Sequence, residues 1–382
     1  SKKRLDILQK SELQFYDESL KEVTLGDICE FSKGKGILKN DLSDEGIPCI
    51  IYGELYTHYD EIISNIKSKT DLNKDNLVLS SKYDIIMPDC GETAIDLANT
   101  SCILREDVAI GMDTIILKTK QNPIFLTYYI RYKRNEIAKI GQGSSIVHIY
   151  PKDLKKIKIK IPTLKKQNKI SNFLVKVNEK INLMEQKNKK IKYDVKNYLL
   201  SNLFVENKEE DILSWNEEDL DNISSISTGN CDLKDNIEDG KYPFFVRSEK
   251  VERIDSYAYD GEAILIPGDG RVGEIFHYIN GKFNYHQRVY KISDFKDVIG
   301  KYVYYYLQQY FLRHVHKYSV KGTVDSLRLP IIKEMKIRYP SIKKQEKIVN
   351  ILSCVDKKIE LSNKQIDLMK NYKKGLLQKM FI

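Results

Sequence analysis

The stretch PTLKKQNKISNFLVKVNEKINLMEQKNKK, residues 162–190, determines the architecture, because the chain repeats it as PSIKKQEKIVNILSCVDKKIELSNKQIDL at residues 340–368. An offset of 178 residues aligns the two copies. The positions that are identical in both copies, numbered in the first, are Pro162, Lys165, Lys166, Gln167, Lys169, Ile170, Asn172, Leu174, Val177, Lys180, Ile181 and Leu183. Agreement at so many positions indicates a duplicated structural element.

Each copy is predicted to form a single long helix. A proline opens it, where the missing N–H costs no hydrogen bond, and Thr163 or Ser341 beside the proline can cap the first turn. Apolar residues then recur every three or four positions, which is the spacing of a coiled-coil seam. The predicted seam consists of Ile170, Leu174, Val177, Ile181 and Asn188 in the first copy and Ile348, Leu352, Val355 and Ile359 in the second.

The matching apolar stripes predict that the two helices pack on each other as an antiparallel pair. At ~1.5 Å per residue, about 40 residues form a rod of roughly 60 Å. Asn188 falls on the seam between apolar residues. Its buried amide would help to fix the register of the pair if it met a polar partner.

Composition limits the class of protein. The 382 residues suffice for two or three domains and include 63 basic against 54 acidic residues, a net charge of +9. This excess favours an anionic partner, although a lysine-rich surface without such a partner has the same composition. No apolar run reaches the ~20 residues of a transmembrane helix, and the six cysteines form no C-x-x-C pair. We expect a cytoplasmic protein with free thiols and no membrane partner.

The rest of the sequence is predicted to form two globular domains with the same order of parts: short β runs, an aromatic helix, a small-residue loop and a last strand that leads into the long helix. The predicted fold is α+β, with two α/β domains separated by two long helices packed as an antiparallel coiled coil, in a pseudo-twofold internal repeat. The predicted segments are an N-terminal segment 1–20, a first domain 21–161, a helix 162–205, an acidic linker 206–219, a second domain 220–339 and a helix 340–382.

Enzyme-like motifs lack the structural context that their chemistry requires. Residues 268–273 read G-x-G-x-x-G after a strand, but a second alternating strand follows, bounded by a predicted hairpin turn at residues 280–281. A dinucleotide site needs a helix N-terminus there. The N-P pair at residues 122–123 is explained by a helix start, and His314 and His316 have no carboxylate or cysteine nearby. We predict no catalytic residue, no metal ligand and no cofactor.

The loops that differ between the two domains are rich in side chains that contact DNA phosphates or bases. In the first domain the candidates are Lys33, Lys35, Tyr52, Tyr56, His58, Tyr59, Gln142, Ser144 and Ser145. In the second domain they are Arg247, Arg271, His286, Gln287, Arg288, Lys321 and Thr323. For any one of these residues, a solvated loop side chain with no ligand is the alternative interpretation.

The duplicated start of the long helices, P-[TS]-[LI]-K-K-Q-x-K-I-x-x-x-[LV], follows each time a domain with L-x-x-I near its start, a G-x-P strand and a late G-[ST] loop. Together these features resemble the DNA-specificity (S) subunit of type I restriction-modification systems, over nearly the whole chain. One position departs from the family, because Lys166 and Lys344 stand where Glu is common. We expect this to change a local cap or a partner contact.

The resemblance implies two target-recognition domains, each reading one half of a bipartite, asymmetric site in double-stranded DNA, with the paired helices as the spacer. It also implies association with two adenine-N6 methyltransferase subunits, and with two motor-nuclease subunits in the full complex. The methyl donor and the flipped adenine would belong to the methyltransferase. This chain is then expected to be a non-catalytic specificity subunit.

Two other functions remain as alternatives from the sequence. The first is a stand-alone two-domain DNA-binding or coiled-coil interaction protein with no enzyme partner. Neighbouring genes for a methyltransferase and a helicase-nuclease would distinguish it from a specificity subunit. The second, an autonomous nuclease-methyltransferase fusion, is disfavoured because the catalytic and donor-binding motifs are missing.

Overall fold

The computed structural model describes residues 20–143, 146–205, 215–318 and 326–381. It divides into two compact units, the first made of Ser1–Leu183 and Ile366–Ile382 and the second of Met184–Gln365. Each unit therefore combines one globular domain with one end of both long helices. Among the residues described, no helix is long and apolar enough to cross a membrane.

The first domain consists mainly of short strands in two mixed sheets. Its five-stranded sheet has the order β2-β11-β7-β9-β5 and its four-stranded sheet the order β10-β4-β6-β3. The strands are β1 (Lys21–Thr24), β2 (Cys29–Lys33), β3 (Leu42–Ser43), β4 (Ile47–Ile50), β5 (Ile62–Ile63), β6 (Ser68–Thr70), β7 (Ile85–Pro88), β8 (Cys90–Gly91), β9 (Ser101–Ile103), β10 (Ala109–Ile110), β11 (Thr114–Thr119), β12 (Val147–His148) and β13 (Lys158–Ile161). The helices are α1 (Leu25–Ile28), α2 (Glu54–Thr57), α3 (Pro123–Tyr132), α4 (Arg134–Ala138) and α5 (Pro151–Leu154).

The first long helix begins two residues after Pro162. It consists of α6 (Leu164–Lys190), a π-helical turn (Ile191–Val195) and α7 (Lys196–Leu203). The second domain then forms one six-stranded sheet in the order β15-β20-β18-β19-β16-β17. Its strands are β14 (Asn216–Asp219), β15 (Ser225–Thr228), β16 (Tyr242–Phe245), β17 (Val251–Ile254), β18 (Tyr259–Pro267), β19 (His277–Tyr285), β20 (Val289–Ser293) and β21 (Lys336–Tyr339). Its helices are α8 (Leu220–Ile223), α9 (Gly300–His316) and α10 (Leu329–Lys333), and the second long helix is α11 (Ile342–Met380). The predicted α+β class with two long helices is confirmed.

A two-stranded antiparallel ribbon closes each domain where its long helix begins. β1 pairs with β13 in the first domain and β14 with β21 in the second. Residues 216–219 were predicted as the end of an acidic linker, and this assignment is wrong. Their acidic side chains lie opposite basic ones, with Glu217 3.3 Å from Arg338 and Asp219 2.8 Å from Lys336. Cross-strand charge pairs therefore support a strand that lacks an apolar pattern.

The glutamine of the repeated K-K-Q motif connects each long helix to the aromatic helix of the same unit. Gln167 is fully buried, and its carbonyl accepts the N–H of Asn122, the residue before α3, at 3.0 Å. Gln345 is also fully buried and accepts the N–H of Ile299, the residue before α9, at 2.9 Å. Both side chains also donate, at 2.9 Å, to the carbonyl of the proline that opens their own helix. The duplicated motif thus makes the same three-way contact twice.

In the first unit the buried carboxylate of Glu61 contacts both long helices. Lys373 of α11 donates to it at 2.6 Å and Asn178 of α6 at 2.9 Å, and Asn178 also donates to the Tyr128 hydroxyl at 2.7 Å. Burial acts to raise the pKa of the Glu61 carboxyl, but Lys373 and Arg131 outweigh burial and the pKa lies below its ordinary value. The charged carboxylate therefore joins both helices to the domain.

The second unit contains the matching contact with a different source of the carboxylate. Asp356 of α11, the repeat equivalent of Asn178, accepts from the Tyr305 hydroxyl at 2.8 Å and from the Lys196 ammonium at 2.7 Å. Lys196 lies 5.7 Å from the centroid of the Tyr305 ring. The first unit holds a lysine over a tyrosine in the same way, at 5.4 Å. The long helix thus supplies the carboxylate here, whereas the domain supplies it in the first unit.

The long helices run antiparallel in the second unit. Asn188 of α6 donates to Asn363 at 2.5 Å, and Lys196, at the start of α7, pairs with Asp356. A later residue of the first long helix therefore contacts an earlier residue of the second. Asn188 thus faces the polar partner that its predicted role in the register required. The amide oxygen of Asn188 is buried without a hydrogen-bond partner.

The other seam residues divide between the helix pair and the domain cores. Val177 and Ile181 pack with Leu376 of α11 in the first unit. The first turns of each long helix instead complete a core, with Ile170 and Leu174 in the first domain and Ile348 and Leu352 in the second. Val355 and Ile359 are half-buried. The sequence pattern could not separate these roles, because both require the same apolar stripe.

Each long helix is followed at its end by a phenylalanine that packs on an aromatic helix. Phe204 lies 5.3 Å from Tyr302 of α9, and Phe381 lies 4.8 Å from Tyr129 of α3, both edge to face. Such aromatic pairs add about 0.5–1.5 kcal/mol to the burial of their apolar area. Residues from both long helices therefore belong to the core of each domain.

The predicted hairpin turn at residues 280–281 is wrong. β19 continues through this pair and is hydrogen-bonded to β18 from Tyr259↔Phe283 to Leu265↔His277. Gly281 lies opposite Gly261, with φ of 142° and 154°, conformations that side chains with a Cβ rarely adopt. The long partner strand therefore overrides the local turn preference of Asn-Gly.

Candidate nucleic-acid interface

One polar loop cluster lies at the end of the five-stranded sheet of the first domain. Lys33 ends β2, Asp89 follows β7, and the two strands flank β11 on either side. The Lys33 ammonium lies 2.5 Å from the Asp89 carboxylate, whose side chain is 7% exposed against 50% for Lys33. The buried Asp89 carboxylate therefore orients a lysine whose side chain is half-exposed.

Two tyrosines lie beside this ion pair. Tyr52 and Tyr56 are half-buried, with ring centroids 6.3 Å apart, and the Tyr52 hydroxyl lies near the Cys90 thiol. Burial, together with Cys90 and Asp113 nearby, raises the pKa of the Tyr52 hydroxyl, and burial also raises the pKa of Tyr56. Both phenols are therefore neutral at physiological pH and able to donate a hydrogen bond.

The small-residue loop of the first domain reaches the same cluster. Gln142 and His148 exchange two backbone hydrogen bonds across the loop, and His148 in β12 pairs with Cys90 in β8. The structure thus brings Gln142 towards Lys33 and the tyrosines. The candidates Ser144 and Ser145, between them in sequence, lie outside the described residues.

Asp89, Cys90 and Asp113 bring three potential metal-ligand atoms within 4.8 Å of one another. Lys33 already bonds to one of these carboxylates. Burial, followed by the two nearby aspartates, raises the pKa of the Cys90 thiol to about 11, and burial and Asp89 raise the pKa of the Asp113 carboxyl. We interpret the group as the acidic surroundings of the Lys33–Asp89 ion pair. The predicted absence of metal ligands stays a prediction.

In the second domain one carboxylate holds two arginines. Asp269, two residues after β18 ends, lies 3.1 Å from Arg247 and 3.0 Å from Arg288 through one amino nitrogen of each guanidinium. The Asp269 side chain is 15% exposed, whereas those of Arg247 and Arg288 are 48% and 64% exposed. Each arginine therefore presents its remaining N–H donors to solvent.

Arg271 has a different environment. Its guanidinium lies 3.0 Å from Glu249 and 2.8 Å from Glu274, and these two carboxylates raise its pKa above the ordinary value. The side chain is exposed, but its charge is matched by two carboxylates. No helix follows residues 268–273, because residues 271–274 form a turn and the next element is β19.

His286 is not placed as a surface contact, and its prediction as one is corrected here. The residue is 3% exposed, and its ring Nδ1 accepts the backbone N–H of Arg288 at 3.0 Å. It therefore shapes the turn that presents the two residues after it. Gln287 is exposed and donates to Asp232 at 3.1 Å.

The remaining candidates make other contacts, are exposed, or lie outside the described residues. The half-buried Tyr59 packs against a core cluster, and its hydroxyl oxygen accepts the backbone N–H of Lys67. His58 contacts Thr57 and Lys67. Lys35 is exposed one residue beyond Gly34. Lys321 and Thr323 lie outside the described residues.

The two clusters occupy the same place on the duplicated scaffold. In the first domain the carbonyl of Asp89 accepts the N–H of Ile149 at 2.8 Å, and in the second the carbonyl of Gly268 accepts that of Leu327 at 2.7 Å. Each contact joins the end of a buried, proline-terminated strand to the segment after the small-residue loop. Asp89 and Asp269 are not among the predicted contacts, because a carboxylate is not itself a donor to DNA phosphates or bases. A Pro-Asp or Pro-Gly-Asp sequence after a buried strand is the signal that could have found them.

Comparison with known proteins agrees with this duplicated architecture. The family model of the type I restriction modification DNA specificity domain matches residues 17–193 and 213–371. The type I restriction enzyme EcoDI specificity subunit of Escherichia coli is 27% identical over 169 residues, 43% of this chain and 37% of that protein. This match therefore spans less than half of the relative. The MjaVIII specificity subunit of Methanocaldococcus jannaschii is 23% identical over 422 aligned positions, 96% of each chain.

The fold is also found in a solved structure. The crystal structure of the S subunit of a type I restriction-modification system from M. genitalium matches with a TM-score of 0.65 and 17% identity, over 96% of this chain and 97% of that one. The two family matches cover both domains and most of both long helices. This chain therefore belongs to the family of type I restriction-modification DNA-specificity subunits, the non-catalytic component of those enzymes.

Proposed function

We propose that each globular domain reads one half of a bipartite, asymmetric site in double-stranded DNA. The observation that carries this proposal is the pair of loop clusters at equivalent places with different donors. The first presents Lys33, a compact point charge, and the second presents Arg247 and Arg288, whose planar groups match base edges. Equivalent places on the scaffold favour equivalent approaches to DNA, whereas different donors favour different bases.

The chain then directs a partner enzyme to the site. In this proposal two adenine-N6 methyltransferase subunits associate with one copy of the chain and supply the methyl donor and the pocket for the flipped adenine. Motor-nuclease subunits join them in the full complex. In this proposal the protein acts in the cytoplasm, where it meets the DNA that it reads.

The long helices act in this proposal as the spacer between the half-sites. α11 has 39 residues, which correspond to about 58 Å at ~1.5 Å per residue. Half-sites read from one side of DNA lie about one helical turn, ~34 Å, or somewhat more apart. We expect deletion of one heptad from both helices to change the spacer length and to leave both half-sites unaltered. An unchanged spacer in a folded, active variant would refute the ruler role.

The decisive test is single-molecule sequencing of DNA from cells that express this chain with its neighbouring methyltransferase subunit. We expect N6-methyladenine in one split motif with two unlike halves, which disappears when this chain is omitted. If both proteins fold and associate but produce no new methylation, the proposal fails and a stand-alone DNA-binding or coiled-coil interaction protein becomes the better interpretation.

A further inference from the structure

We propose that Asp269 is a positioning residue that sets the specificity of the second domain for guanine, by holding Arg247 and Arg288 in orientations that read its major-groove edge. This inference rests on the proposed function, because it requires the second domain to face DNA. It adds the class of base recognised and a residue that acts without touching the base.

The backbone around Asp269 is held on several sides. The N–H of Gly268 donates to the carbonyl of Arg288 at 2.8 Å, so the loop that carries one arginine is bonded to the loop that carries the carboxylate. Asp269 itself forms a β-bridge with Ser326. A Cβ on Gly268 would lie only 3.0 Å from the Arg288 carbonyl, so glycine permits this close approach. Backbone contacts of Gly268 and Asp269 therefore fix the position from which the carboxylate extends.

The geometry of the two ion pairs leaves a recognition edge on each arginine. Asp269 contacts only the Nη1 atom of Arg247 and of Arg288, at 3.1 and 3.0 Å. The Nε and Nη2 donors, which lie together on another edge of the planar group, are not used in this pair of contacts. Two parallel donors match the O6 and N7 acceptors of guanine, the commonest specific contact of arginine with DNA.

Net charge distinguishes Arg247 and Arg288 from Arg271, the third arginine that was predicted to contact DNA. Arg247 and Arg288 share a single carboxylate, so the group retains one net positive charge that DNA can attract. Arg271 lies between Glu249 and Glu274, so its group carries a net negative charge. We therefore assign guanine reading to Arg247 and Arg288 and exclude Arg271 from that role.

In the first domain a buried aspartate also holds a basic side chain, but that side chain is a lysine. Asp89 follows the corresponding strand, at the position of Gly268 beside Asp269, and holds Lys33 at 2.5 Å. Lysine lacks the paired donors of arginine and is less selective between acceptors. A change at Asp269 should therefore alter only the half-site that the second domain reads.

The test compares methylation motifs of Asp269→Asn, Arg247→Lys and Arg288→Lys with the wild type, using single-molecule sequencing of DNA from cells that also express the neighbouring methyltransferase. Asp269→Asn keeps the shape and one acceptor but removes the charge. The matched control is Asp260→Asn, the same substitution in an exposed residue near the opposite end of β18. We expect the wild-type motif to contain guanine in one half-site.

Arg247→Lys and Arg288→Lys should then each accept other bases at one guanine position of that half-site, and Asp269→Asn at the positions read by both, with discrimination reduced about 5- to 150-fold. The other half-site and the Asp260→Asn motif should not change. A folded Asp269→Asn variant that keeps full discrimination would overturn the inference, as would a uniform loss of methylation with an unrelaxed motif. If Asp269→Asn does not fold, relaxation at guanine positions of that half-site in both arginine variants supports the inference and its absence refutes it. A wild-type complex that methylates nothing refutes the proposed function, and this inference with it.

Discussion

The contact made by Gln345 allows a quantitative test of the duplicated K-K-Q motif. The substitution Gln345→Met keeps nearly the same side-chain volume and removes both hydrogen bonds. Because Gln345 is fully buried, the N–H of Ile299 and the carbonyl of Pro340 would each lose a partner that water cannot replace. An unsatisfied buried group costs about 1–3 kcal/mol, so we expect a loss near 4 kcal/mol from the two.

For a unit of this size, about 1 kcal/mol shifts Tm by roughly 2–4 °C, so the second unit should melt roughly 8–16 °C lower. Trp215, the single tryptophan, lies in the second unit with the Lys344 ammonium 5.4 Å from its ring. Its fluorescence therefore reports unfolding of that unit during a thermal ramp. The adjacent, exposed Glu346 offers the control, and Glu346→Ala should stay within about 0.5 kcal/mol of the wild type.

A matched variant exists in the first unit. Gln167→Met removes the same two contacts, to Asn122 and Pro162, together with a third to Gln121. We expect a comparable loss that calorimetry detects in the first unit. If Gln345→Met folds and its fluorescence transition stays within about 2 °C of the wild type, the structural reason given for the repeated glutamine is refuted.

Two further perturbations test the contacts of the long helices. Asn188→Leu and Asn363→Leu should each destabilise the second unit, whereas the double variant should recover part of the loss, with a coupling of about 0.5–3 kcal/mol in denaturant unfolding; additive losses would contradict the contact. Lys373→Met should destabilise the first unit by about 3–5 kcal/mol near pH 7, because it leaves Glu61 buried and charged. The lowered pKa of Glu61 means that its contribution is present above pH ~4.5 and is lost as pH falls through its folded-state pKa. The difference in Tm between wild type and Lys373→Met should therefore shrink as the pH falls below ~4.5. A difference that does not change with pH would show that Glu61 is not the partner that matters.

Sequence reasoning was most successful where one pattern had one structural meaning. The duplication places two helix starts at Pro162 and Pro340, and the structure begins α6 and α11 two residues after each. The repeated glutamine was visible as an identity, but its partners at Asn122 and Ile299 depend on how the aromatic helix approaches, which no local pattern records. Asn363 was missed for a related reason. Its pairing with Asn188 follows from an antiparallel register that the sequence leaves open.

The candidate site was less accessible from sequence, because reading surfaces are assembled from loops distant along the chain. Counting donors identified Arg247 and Arg288 separately, but not the carboxylate that brings them together. The same counting included His286, although burial gives that side chain a structural role. A sequence pattern for DNA contact does not include acidic residues, because carboxylates repel DNA phosphates, and both Asp89 and Asp269 are acidic. The sequence also did not predict the strand at residues 216–219, because most of its residues are charged and none is apolar.

The division of α11 between the two units has a consequence for synthesis on the ribosome. The first domain is translated first, yet Phe381 completes its core and Lys373 supplies the ion-pair partner of its Glu61 carboxylate. The intervening 184–365 segment takes roughly 10–40 s to emerge at 5–20 residues per second. During that interval the aromatic face of α3, including Tyr129, lacks its last packing partner. We therefore expect the nascent first domain to expose this apolar surface until the end of α11 is made, whereas the second domain needs only the first half of that helix.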